Sequence, residues 1–401
     1  MKIGTEFRVV CVLLISLVLA GCVLEQFWQE EEKAITFAGE PVSFDSLGAL
    51  KSFDVFVDKE NKIHLAADTG ERRFYLFSED GGVHWAEPLL VSNVSSNSKQ
   101  GNDVQVAASE NKILIVWKGV SELPGWGAAQ LAVSDNQGMS WKQLESPAKG
   151  DVAENQGYFS LAANREGFHL LWLDDREEEG NTQGLRVASS LNGAEWNTEQ
   201  TIETGLCTCC WVSTVLSGPK LHVLYRGEGP RDMKFVTGSV GKNSWQPSVR
   251  VGAFDWDFVG CPHQGGALAE SSDGALHSVV WTGKEEMAGL HYLVSKDGGV
   301  HWQNRQAISG GEGQHVDMAA NSETILIAWD SLSEDGNIIQ LLAKSENDHA
   351  MKLSMKSEGF ARPRVVASGD NFRLFWTDLD KMGKKRLKTI KIKQINRKVK
   401  Q

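Results

Sequence analysis

The octapeptide SEDGGVHW at Ser78–Trp85 returns as SKDGGVHW at Ser295–Trp302. Near-identity at such a separation marks a unit of a periodic architecture, in which each copy builds the same local structure. Two weaker copies lie between them: SDNQGMSW at Ser134–Trp141, with Asn136 in the Asp position, and SSLNGAEW at Ser189–Trp196, with Leu191 there. Two more are degenerate, GSVGKNSW ending at Trp245 and SENDHAMK at Ser345–Lys352. The pattern Ser-x-Asp-x-Gly-x-x-Trp has a mechanical reading. Asp80 and Asp297 accept hydrogen bonds from the backbone amides of a tight turn, and Gly82 and Gly299 supply backbone angles that other residues resist. Trp85 and Trp302 then cover the hairpin with a large apolar face.

A second landmark carries the same period. Short apolar strands, most ending in an aromatic, recur as KIHLAAD to Asp68, KILIVW to Trp117, FHLLW to Trp172, LHVLY to Tyr225, LHSVVW to Trp281, ILIAW to Trp329 and FRLFW to Trp376, at intervals of 47 to 56 residues. That spacing suits one four-stranded antiparallel sheet per unit, and seven strands argue for seven blades of an all-β propeller. The last unit, from Phe360 to about Lys393, has room for three strands, whereas Ile35–Phe44 (ITFAGEPVSF) reads as a strand lacking its unit. Pairing the two would close the ring and remove both open edges. The aromatic-ended strands are expected to be the innermost of each blade.

The repeated motif resembles the Asp box, or BNR repeat, of bacterial sialidases and related propellers. In that family the boxes sit on the blade rim away from the active site, so the resemblance implies the fold more strongly than the chemistry. Sialidases have six blades, the alternative to seven here.

The N-terminus carries Lys2 and Arg8, an apolar run Val9–Ala20, and then Leu19-Ala20-Gly21-Cys22. The run is too short for a lasting transmembrane helix and reads as a signal peptide. Its ending resembles the bacterial lipobox, which implies cleavage before Cys22, acylation including a palmitate, and stable anchoring by two or three chains. Val23 after the cysteine favours the outer membrane. The expected organisation is a signal at 1–21, an acidic tether at 22–34, the propeller at 35–393 and a basic tail at 394–401.

Four cysteines remain after Cys11 and Cys22: Cys207, Cys209, Cys210 and Cys261. Cys207-Thr208-Cys209-Cys210 precedes the inner-strand candidate of the fourth blade, Cys261-Pro262-His263 holds the matching place in the fifth, and His315 that in the sixth, so all should converge near the channel mouth. Three readings stand. Two disulfides suit an oxidising compartment; thiolates with His263 or His315 suit zinc or copper(I); a redox-active dithiol is the third. If fully extended, Cys207 and Cys209 would share one face and Cys210 the other. The CTCC segment followed about fifty residues later by CP also resembles a feature of a sialidase-like subgroup of Asp-box proteins.

The sialidase resemblance implies three arginines for a substrate carboxylate, a tyrosine nucleophile paired with a glutamate, and an aspartic acid/base. Arg176, Arg226 and Arg364 are the candidate arginines, because a planar guanidinium binds carboxylate bidentately. Asp174 and Asp175 are the candidate carboxylates, with a turn role as their alternative. No Phe/Tyr-Arg-Ile-Pro sequence opens the first unit, and no tyrosine follows Tyr292. Trp126 and Trp256 fall in loops outside the period, where tryptophan suits sugar stacking.

The net charge of −11 and the export signal exclude nucleic acid as a partner class. Lys381–Gln401 nevertheless carries ten basic residues and no acidic one, which suits a solvated strand face or anionic head groups. The sequence therefore points to a monomeric, membrane-anchored, glycan-directed propeller, a divergent sialidase-type hydrolase or a non-catalytic sugar binder. The alternative is a cell-envelope binding or assembly protein with a cysteine-rich metal or disulfide site at the channel.

Overall fold

At Ser78–Trp85 the chain forms a stapled turn. Ser78 Oγ donates to Asp80 Oδ1 at 2.9 Å, the same oxygen accepts the N–H groups of Val83 and His84, and the Gly82 N–H closes onto Ser78 Oγ at 2.7 Å. Asp297 repeats this with Ser295, Gly299 and His301. In the second copy Asn136 accepts the Ser140 N–H. In the third the staple is Asn192 rather than the residue at 191: Asn192 accepts from the N–H groups of Ala194 and Glu195 and from the Ser190 hydroxyl. That turn is anchored on Ser190 and is one residue shorter, which leaves Leu191 82% exposed.

The computed structural model describes residues 31–98, 104–123, 126–151, 155–176, 178, 180–239, 244–334, 336–345, 350–359 and 361–398. The expected signal peptide and lipobox, most of the acidic tether, and parts of the two degenerate motif copies lie outside the described residues. Strands of the described residues fold into seven antiparallel sheets arranged as the blades of a propeller, six of them built from consecutive strands and the seventh completed by the first strand. The first blade comprises Ser52–Val57, Ile63–Asp68, Arg73–Ser78 and Leu89–Ser92. The innermost strands of the others are Gln105–Ser109, Gly157–Asn164, Ser213–Ser217, Gly266–Glu270, Gly313–Ala320 and Arg364–Ser368. In the fourth blade the outer strand is broken into Ser244–Trp245 and Val249–Arg250, both paired with Met233–Ser239.

Closure joins the two ends of the chain. Glu31–Ser43 forms the outer strand of the seventh blade, pairing antiparallel with its third strand Lys385–Lys398, from Glu31↔Lys398 to Ser43↔Lys388. The register shifts between Ala38 and Val42, where Gly39 has φ +83° and Pro41 has no N–H to give the ladder.

The apolar, aromatic-ended strands are the second of each blade, not the innermost as the sequence suggested. A second strand is covered on both faces by neighbouring blades, so it reads as a continuous apolar run. An inner strand such as Ser213–Ser217 borders the channel and stays half-buried along its length. The core accordingly consists of seven apolar clusters, one between each pair of adjacent blades. The motif tryptophans belong to these clusters, each reaching back to the preceding blade: Trp302 meets Phe235 at 5.3 Å, Trp141 meets Tyr75 at 5.6 Å, and Trp85 meets Phe375 across the closure at 5.9 Å. Gly299 shows why glycine is needed. Its φ is +94°, and a Cβ there would stand 1.9 Å from the Phe235 ring.

This topology sorts loops onto two faces. The stapled turns join third to fourth strands on one face. The segments leading into each innermost strand, and the ends of the second strands, gather at the opposite face around the channel mouth.

Candidate functional site

Three residues at the start of innermost strands adopt left-handed backbone angles: Tyr158 (φ +54°), His315 (φ +47°) and Arg362 (φ +44°). In the third and sixth blades the strand register shifts at this point, between Gly157 and Ser160 and between Gln314 and Asp317. A bulge beside a site re-aims a side chain, and positive φ at a bulky residue persists only where its surroundings impose it. Here the three side chains meet around Trp211, which precedes the fourth blade's inner strand. The Arg362 guanidinium lies over the Trp211 ring at 5.3 Å, the Tyr158 ring meets it edge-on at 6.0 Å, and the His315 ring at 6.5 Å. Asp330, at the end of a second strand, fixes two of them, accepting from the Arg362 N–H at 3.0 Å and sitting 2.8 Å from His315 Nδ1.

Below this ring lies a cavity of about 230 Å³ in the channel, with Trp211, His315, Arg362 and Arg364 among its lining residues. Arg364 spans it, pairing with Asp54 Oδ1 at 2.5 Å and Asp317 Oδ1 at 3.3 Å. The far oxygens of these carboxylates accept the N–H groups of Val106 and Val365. Burial raises the Asp317 carboxyl above its ordinary value despite Arg364. At the rim, burial and then the positive charges of Arg362 and Lys51 push the Lys385 amine below its ordinary value. Arg364 is thus held by two carboxylates, and Arg362, Lys385 and Lys51 add positive charge where the seventh and first blades meet.

The cysteine segment reaches the same face. A turn at Thr208–Cys209 replaces the extended run considered from sequence and folds all three thiols inward. Cys207 Sγ lies 3.6 Å from both Cys209 Sγ and Cys210 Sγ, and the three sulfurs fall within 4.8 Å of one another, each residue at most 3% exposed. All four cysteines are free thiols. Arg231 Nη1 donates to Cys207 Sγ at 3.0 Å. Its contacts with the Cys209 and then the Cys210 thiol, with the guanidinium behind them, hold Cys207 well below a thiol's ordinary value. Donation to Cys207 raises Cys209, and burial raises Cys210 to about 12. Tyr158 packs against the cluster, so cluster and mouth share a wall. The trio is geometrically able to chelate a metal ion.

The other sequence candidates are distributed around this centre. Cys261 is exposed, with Sγ 3.9 Å from Thr208 Oγ1; His263 is exposed and bonds the Cys261 carbonyl through Nδ1. His315 lies at the mouth, paired with Asp330, and the described metal-capable group contains the three cysteines without a histidine. Arg226, 2% exposed, donates to the carbonyls of Gln264, Arg231 and Trp281. Arg176 pairs with Asp174 and Glu199. Asp174 is fully buried and also takes the Trp172 indole N–H and Arg186, while Asp175 accepts from Asn155. Of the three arginines only Arg364 lines the cavity. Trp256 is 6% exposed, stacked on Phe258 and beneath Arg226. Trp126 is half-buried, its carbonyl accepting from Asn97. Tyr158, Trp211 and Arg362 went unnoticed in the sequence. The one available signal was their common place just before an inner strand.

No protein-family model and no curated protein sequence matches the chain. Among solved structures the fold is similar to that of the polysaccharide lyase Uly1, at 11% identity over 86% of this chain and 89% of that one, with a TM-score of 0.55. A NanB sialidase from Streptococcus pneumoniae aligns at 10% identity over 88% and 70%, TM-score 0.48, and the Aleuria aurantia lectin at 10% over 76% and 94%, TM-score 0.47. The likeness to Uly1 is one of fold and leaves the ligand to the site itself.

Proposed function

We propose that the channel mouth binds a single anionic sugar residue, its carboxylate on Arg362 and its ring against Trp211, and that the protein recognises glycans without hydrolysing them. The observation that carries this reading is the convergence of Arg362, Trp211, Tyr158 and His315 above the cavity. An aromatic face beside a guanidinium offers stacking and carboxylate pairing together. The cavity is below the roughly 300–1,000 Å³ of drug-sized ligand sites, which suits one ring rather than a chain. The test is calorimetric titration with N-acetylneuraminate, glucuronate and neutral methyl glucoside. Both acids should bind at least about tenfold more tightly than the neutral sugar, and Arg362→Ala should remove that margin, about 1.4 kcal/mol or more. Equal affinities, or binding indifferent to Arg362→Ala, would refute the reading. Release of fluorophore from a fluorogenic sialoside would refute its non-catalytic part.

A second reading rests on the cysteine trio: the cluster holds a thiophilic metal ion, zinc or copper. Support comes from three sulfurs converging within 4.8 Å beside a guanidinium. Metal content of protein purified without chelator tests it.

The leader supports a third element, attachment to the outer membrane through acylated Cys22. With that anchor the chain would join the propeller at Glu31, whose partner is Lys398, on the face of the stapled turns. The channel mouth would then point away from the lipid.

A further inference from the structure

We infer that the trio is a three-coordinate copper(I) site loaded and unloaded through Cys261; this rests on the metal reading of the same cluster. Three features of the geometry lead there. Thiolates around an ion at about 2.3 Å stand roughly 3.8–4.0 Å apart, and Cys207 lies 3.6 Å from each of its two neighbours. Only small side-chain shifts separate the observed arrangement from a ligated one. Among the described residues the group offers three sulfurs and no histidine or carboxylate, whereas structural zinc almost always takes four ligands and soft thiolates select Cu(I). Charge is matched as well. Three thiolates around Cu(I) carry two negative charges, and two guanidiniums stand nearby: Arg231 against Cys207 Sγ, and Arg226, which bonds neutral carbonyls and acts on Cys210 through its charge.

The trio is buried, so an ion needs an intermediate ligand at the surface. Cys261 has that position. It is exposed, and its sulfur touches Thr208, the residue between Cys207 and Cys209. Its loop is tied to the cluster because Arg231, bonded to Cys207 through Nη1, donates through Nε to the Phe258 carbonyl at 2.9 Å. Phe258 and Val259, 41% and 98% exposed, give the loop an apolar tip beside the thiol.

The transfer is redox-neutral. Cys261 loses its proton to solvent as its sulfur takes Cu(I) from a donor thiolate. It regains a proton as the ion passes to the trio, where the thiols entering coordination release theirs. Copper remains Cu(I) throughout.

The experiment uses the mature protein under anaerobic conditions, titrated with Cu(I) against bicinchoninate as competing chelator, followed by X-ray absorption at the copper edge. One Cu(I) per chain with three sulfur neighbours is expected, and Cys209→Ser should abolish binding. Cys261→Ser, an exposed substitution, should leave stoichiometry and affinity unchanged while slowing copper withdrawal by bicinchoninate at least tenfold. No bound copper would overturn the copper assignment; neither copper nor zinc bound, or a thiol count showing the trio oxidised, would overturn the metal reading itself. Copper bound normally with unchanged withdrawal in Cys261→Ser would overturn only the exchange role. Loss of affinity in Cys261→Ser, with zinc preferred, would make Cys261 a fourth ligand and overturn the three-coordinate assignment.

Discussion

Replacing Arg226 with alanine separates a structural arginine from a ligand-binding one. Its guanidinium donates to the Gln264, Arg231 and Trp281 carbonyls, tying the end of one blade's second strand to the next blade, and lies over the Trp256 ring at 5.5 Å. A buried hydrogen bond from a charged group contributes about 1.5 kcal/mol at the low end of its range. Three such bonds and the ring contact sum to about 5 kcal/mol. The propeller runs from Glu31 to Lys398, and at about 2.1 cal/mol/K per residue its unfolding entropy is about 0.8 kcal/mol/K. The Arg226→Ala midpoint should therefore fall by about 6 °C in a calorimetric scan. Arg362→Ala, at the half-buried mouth, should melt within about 1 °C of the native protein while losing anionic sugar. If Arg226→Ala melted like the native chain and lost sugar binding instead, Arg226 would be the ligand arginine and the placement of the site at Arg362 would be wrong.

The remaining predictions concern the turns and the anchor. Gly299→Ala must relieve a 1.9 Å approach to Phe235 at positive φ and should cost about 2–4 kcal/mol. Gly298→Ala, with no atom within 4 Å, should cost about 1 kcal/mol, and equal losses in denaturant titrations would refute the packing argument. The His301 N–H, then its ring and the Ser295 hydroxyl, hold the Asp297 carboxyl at about 2, below its ordinary value of 3.8. A depressed carboxyl contributes stability above 3.8 that is lost as pH falls toward 2. The stability gap between native protein and Asp297→Asn should therefore be full at pH 6 and close between pH 4 and 2; a gap independent of pH would contradict the staple. Cys22→Ser should abolish palmitate incorporation and move the protein from the membrane to the soluble fraction, and unchanged labelling would remove the anchor.

The repeat made the propeller legible because Asp, Gly and Trp act locally: Asp80 and Asp297 staple their own turns, and Trp85 and Trp302 need only a neighbouring blade. Closure was readable from a surplus strand at one end and a deficit at the other. Blade layering misled, since an apolar run ending in Trp172 or Trp376 reports burial on both faces rather than closeness to the axis. The third motif copy misled through a one-residue shift, with Asn192 two residues after Ser190 in place of an Asp two after Ser189. The mouth was hidden for a different reason. Tyr158, Trp211, His315 and Arg362 come from four blades and meet only through strand bulges and left-handed backbone that composition does not announce. The cysteines were visible as a cluster, yet their convergence depends on the turn at Thr208–Cys209, and an extended run would have divided them.

The most direct test of the central claim is a crystal structure of the protein soaked with glucuronate. The account predicts sugar density in the channel mouth, the carboxylate within hydrogen-bond distance of the Arg362 guanidinium and the ring against Trp211. Density at Trp126 or another outer surface, with the mouth holding only water, would contradict it.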